Sequence, residues 1–91
     1  MSEYVIEVRY SHLFPGLILD APADTDDFLV LFGDDSESRA QLLSDDTGRP
    51  VLRMGGYMTA KGTVIDERVW TVRERVQRGD RIRLRLGRSL P

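Results

Sequence analysis

The chain contains no cysteine. Disulfides, thiolate nucleophiles and zinc sites built on sulfur are therefore excluded. It has a single histidine, His12, so a two-histidine metal site is excluded as well. No apolar run approaches the ~20 residues a membrane-spanning helix needs, and no membrane partner is expected. The opening MSEYVIEV lacks a basic segment followed by an apolar one, so no secretory leader is expected. The cytoplasm is the expected compartment. Catalytic signatures are missing too. There is no G-x-S-x-G elbow to pair with His12 and no G-x-x-x-x-G-K-[ST] phosphate loop.

What is present is an ordinary globular composition, 41% apolar and 31% charged over 91 residues. That length allows one small domain with one core, expected over residues 1–87, with 88–91 as a flexible tail. Charge is unevenly spread. Asp20 to Asp46 holds nine acidic residues against Arg39 alone, whereas Arg49 to Pro91 holds eleven basic residues against four acidic ones. Such an asymmetry creates a field that steers partners. The plainer expectation is that the two halves face and offset each other in the fold. The acidic residues Asp24, Asp26, Asp27, Asp34, Asp35 and Glu37 lack the spacing of a calcium loop and read as caps and solvated turns. No metal, cofactor or catalytic residue is indicated.

Periodicity organises the rest. Residues 3–10 alternate as a strand, and Pro15-Gly16 is a turn leading to Leu17-Ile18-Leu19, so residues 3–20 are expected to form an antiparallel hairpin. Phe28 to Phe32, FLVLF, is too short to separate a helical turn from a buried strand. Residues 36–43 are expected to be a helix capped by Ser36. Strands are expected at Pro50 to Met54 and Val69 to Val76, with Trp70 inward. In the last strand Ile82, Leu84 and Leu86 alternate with Arg81, Arg83 and Arg85. The expected core is Tyr4, Ile6, Val8, Leu17, Leu19, Leu31, Leu43, Val51, Leu52, Val72, Ile82, Leu84 and Leu86.

The arginines at 73, 75, 78, 81, 83, 85 and 88 form a ladder along the last two strands. Such a face can meet phosphates or an acidic protein surface. Single-strand binders interleave aromatic stacking platforms with their basic residues, and this ladder has only Trp70 nearby. Nucleic acid is thus not the expected partner. The candidate partner-binding residues are Arg73, Arg75, Arg81, Arg83 and Arg85.

Three stretches, GLILDAPADT, VLRMGGYM and ERVQRGDRIRLRLG, resemble the second strand, the post-helix strand and the closing strand of the β-grasp, or ubiquitin-like, superfamily. The resemblance implies an α+β fold, a mixed sheet of four or five strands packed on a helix. It also implies a non-catalytic protein acting through protein–protein binding. In that family a terminal Gly-Gly is adenylated. Here Gly87 is single and followed by Arg-Ser-Leu-Pro, so Gly87 as a conjugation end requires a processing protease and an adenylating enzyme as partners. The alternative fold is a small all-β barrel in which FLVLF is a strand. The alternative function is a nucleic-acid or acidic-partner binding module using the arginine-rich face.

Overall fold

In the computed structural model, residues 4–90 are described. Alternation of inward and outward side chains produces nine strands: β1 (Val5–Glu7), β2 (Ile18–Pro22), β3 (Asp27–Leu31), β4 (Glu37–Ser44), β5 (Pro50–Met54), β6 (Tyr57–Met58), β7 (Val64–Ile65), β8 (Arg68–Arg78) and β9 (Arg81–Leu90). Seven of them form one sheet in the order β1-β3-β4-β5-β8-β9-β2, and β6 pairs with β7 as a separate hairpin. The large sheet curls until its end strands meet across a seam lined by Tyr4, Val5, Ile6, Glu7, Ile18, Leu19 and Asp20. Among the described residues no ladder joins β1 to β2, so the barrel is nearly but not fully closed.

This corrects the expected α+β, ubiquitin-like β-grasp with its helix. The described residues contain no helix, and therefore none long and apolar enough to cross a membrane. The alternative, a small all-β barrel with FLVLF as a strand, matches the structure. Phe28, Val30 and Phe32 point into the core, while Leu29 and Leu31 lie half-buried on the outside. The expected helix over 36–43 is instead β4. Ser36, Ser38 and Ala40 face inward and Glu37 and Arg39 outward. Small and polar inward residues conceal the period of two. They are accommodated because Ser38 Oγ donates to the Gly55 carbonyl at 2.6 Å, as a buried hydroxyl must find a partner.

The expected hairpin over 3–20 is also corrected. β1 lies parallel to β3, with Val5 opposite Leu29 and Glu7 opposite Leu31, and β2 pairs with β9 instead. Glu3 lies outside the described residues. The β8–β9 hairpin forms as its sequence suggests. Arg78 faces Arg81 across the two-residue turn Gly79-Asp80, and Gly79 takes a positive φ of 60°, which favours glycine at that place.

β9 sits between β8 and β2, so Ile82, Leu84 and Leu86 enter the centre of the core with Ile6, Val8, Leu19 and Leu52. Leu13, Phe28, Phe32, Met54, Tyr57 and Trp70 complete it. Phe32 and Tyr57 stack with ring centroids 4.7 Å apart. Leu43, expected inside, is 44% exposed because its neighbour Leu42 takes the inward position opposite Leu52. Residues 88–90, expected as a flexible tail, are the end of β9. Ser89 pairs with Trp70 and Leu90 with Val69. Pro91 lies outside the described residues.

Candidate functional site

The outer face of β2, β9 and β8 carries the arginines. Antiparallel partners share a face, so the registers place side chains in rows. Arg85 lies between Ile18 and Glu74, Arg83 between Asp20 and Val76, and Arg81 between Pro22 and Arg78. Apart from Pro22, these residues line one shallow groove of about 240 Å³. Ile18 and Val76 are exposed within it, 44% and 37%.

Arg83 is paired with Asp20, Nε to Oδ1 at 3.1 Å. Both side chains are well exposed, so the pair fixes geometry more than it stabilises the fold. Arg81 Nη2 donates to the Tyr4 hydroxyl at 3.0 Å, and its guanidinium lies 5.6 Å from that ring's centroid. The hydrogen bond to Tyr4 raises the Arg81 pKa above the ordinary arginine value. Arg78 and Arg85 make no ion pair among the described residues. Four cations and two carboxylates thus share the face with two exposed aliphatic side chains.

Arg75, expected beside Arg81, Arg83 and Arg85, is separated from them by the hairpin register, which sets it opposite inward-facing Leu84. Arg73, expected there too, lies at the second of two offset irregularities in the β8–β9 ladder. Gly87 and Arg88 together lie opposite Thr71, and one pair later Arg73 is the extra residue on β8. A bulge re-aims side chains. Here it turns Val76 outward, although it is spaced to share a face with Trp70 and Val72. Arg73 and Arg75 line a second cleft with Arg49 and Arg88.

Gly87, expected as a conjugation end, is buried within β9. Thr71 Oγ1 donates to the Arg88 carbonyl at 3.1 Å. Reaching Gly87 as a terminus would require stripping residues 88–90 from β8.

The charge asymmetry survives folding. Most of the acidic stretch occupies β3, β4 and their turns, across the barrel from β8 and β9. Among the described residues the two halves meet at the Arg83–Asp20 pair and where Arg49 lies near Asp45. Arg39–Asp27 and Arg53–Glu67 are pairs within one half each. The expectation that the halves offset each other is therefore met at a few places, which include the field Asp20 exerts on Arg81.

Elsewhere the carboxylates serve turns. Asp34 accepts from the Ser36 hydroxyl, the Ser36 N–H and the Ala60 N–H, which together hold its carboxyl below the usual range. Asp45 Oδ1 accepts from the Thr47 hydroxyl and from the Arg49 and Thr47 N–H groups, with the same effect. Among the described residues no three His, Asp or Glu side chains gather as a metal site. His12 is exposed and contacts the Ser11 hydroxyl at 3.3 Å.

Of the residues in the groove, Ile18, Asp20, Glu74 and Val76 were not singled out by the sequence. Only strand pairing brings β2 beside β9, and only the bulge turns Val76 outward. No family model, no curated protein and no solved structure matches this chain.

Proposed function

We propose that the protein is a non-catalytic binding module that docks an acidic segment of another protein on the outer face of β2, β9 and β8. The observation that carries this reading is the mixture on that face. Arg78, Arg81, Arg83 and Arg85 stand with Asp20 and Glu74 around exposed Ile18 and Val76. Arginine beside aliphatic surface, with charges of both signs, suits a protein partner with matching groups. A phosphate backbone presents one sign throughout and no aliphatic side chain to cover Ile18 and Val76. Base stacking also lacks a platform, since Tyr4, the aromatic residue beside the groove, carries Arg81 over its ring. A chain without cysteine makes no demand for an oxidising compartment, and we assign the protein to the cytoplasm.

Fluorescence anisotropy tests the reading with a labelled glutamate-rich peptide interspersed with leucine, against single-stranded and duplex oligonucleotides. The peptide is expected to bind saturably, and more weakly as salt rises. Arg85→Glu should weaken it by roughly tenfold or more, as loss of a close interfacial charge pair does. Oligonucleotide binding that is tighter than peptide binding at physiological salt would overturn the proposal.

A further inference from the structure

We propose that the cleft between the β4–β5 turn and the β8–β9 bulges is a binding site for a diphosphate group. The cleft, about 640 Å³ and open to solvent, is lined by Arg49, Arg73, Arg75 and Arg88, with Asp45 at its edge and Val51, Thr71 and Val72 among its walls. The four arginines come from three places in the fold: the β4–β5 turn, β8 and β9. None of them makes an ion pair through its side chain among the described residues, apart from the field Arg49 exerts on Asp45.

Their convergence is built by the backbone. The register of the β8–β9 hairpin sets Arg75 opposite Leu84, on the other face from Arg83 and Arg85. At the two offset bulges Arg88 lies opposite Thr71 and Arg73 is the extra residue on β8, and both line the cleft. β8 also runs past the end of β5, whose pairing stops at Val51–Thr71. Arg75 therefore lies beside Pro50 and Gly48 rather than under a neighbouring strand. Gly87 keeps the crossing open, because a Cβ there would meet Arg73 Cγ at 2.9 Å and Thr71 Oγ1 more closely still.

The charge balance selects the ligand class. Four guanidiniums against one carboxylate leave a net +3 around the cleft. The Asp45 carboxylate is already engaged by three donors of its own turn. A phosphoryl group brings roughly −1.5 to −2, so two of them match the site. Planar guanidinium forks are suited to phosphoryl oxygens, which accept paired N–H donors. The site does not depend on the docking face, which uses other arginines.

Isothermal titration at roughly physiological ionic strength, where long-range charge effects are screened, tests the site with inorganic pyrophosphate, adenosine diphosphate and citrate. Saturable one-to-one binding of pyrophosphate or the nucleoside diphosphate is expected. Binding of both means that the diphosphate suffices, and binding of one alone identifies the source. Arg73→Gln and Arg88→Gln should each weaken it by roughly tenfold, as loss of a charge-assisted hydrogen bond does. Lys61→Gln, which removes the same charge from the distant β6–β7 turn, should change it less than about twofold if the effect is local. Circular dichroism of each variant confirms that it is folded. Absence of saturable binding, citrate binding equal to pyrophosphate, or a Lys61→Gln loss equal to that of Arg88→Gln would overturn the proposal.

Discussion

Arg73 crosses β9 directly over Gly87, so that a Cβ at Gly87 would lie 2.9 Å from Arg73 Cγ. One missing side chain thus allows a bulged arginine, a Thr71–Arg88 hydrogen bond and an uninterrupted β9 to occupy the same place. Gly87 has no positive φ to protect, so the requirement is space alone. Gly87→Ala should cost about 1–3 kcal/mol, the range for overpacking a filled site, read by urea unfolding. A change within about 0.5 kcal/mol, typical of free surface positions, would mean that Arg73 and Thr71 are not held across β9.

The core makes its own demand on β9. Leu84 is fully buried between strands β8 and β2. Leu84→Ala should cost about 2–5 kcal/mol, lost transfer energy plus the cavity left behind. Arg83→Ala, on the opposite face of the same strand, should cost less than about 1 kcal/mol, since its ion pair with Asp20 is exposed. Equal losses in urea unfolding would contradict the assignment of the two faces.

Asp34 ties the β3–β4 turn to the β6–β7 hairpin through Ser36 and Ala60. The Ser36 hydroxyl is the main cause of its lowered pKa, and the Ala60 N–H follows. A carboxyl whose folded pKa is depressed contributes stability above its unfolded pKa and loses it as pH falls through the folded value. The window therefore lies below about pH 4. Thermal melts should show wild type above Asp34→Asn at pH 7, with the gap closing toward pH 2.5. A gap independent of pH would show that the carboxylate's charge contributes nothing.

The alternation in the last strand was legible in the sequence because Arg and Leu differ so sharply in hydropathy. Residues 81–86 therefore announce both faces. Residues 36–42 were not legible, since an inward row of serine and alanine gives no hydrophobic period, and their real partners lie in β3 and β5. β1 was misassigned to β2 because neighbours in sequence usually pair, whereas here it runs beside β3. The outward-facing arginines at 81, 83 and 85 were visible in the sequence. The segregation of Arg75 follows from the register of the two-residue turn, which sets it opposite Leu84. The placement of Arg73 was not visible, because it depends on two bulges, which shift the register without a mark in the residue pattern.

The docking proposal is tested most directly by amide chemical-shift mapping of the ¹⁵N-labelled protein during titration with the glutamate-rich peptide. Progressive shifts are expected at Ile18, Asp20, Val76, Arg83 and Arg85, on adjoining strands of one outer face. The amides of Asp27, Glu37 and Arg39, on the acidic wall, should stay in place. Shifts centred on β3 and β4, or spread evenly over the barrel, would contradict the assignment of the arginine face as the docking site.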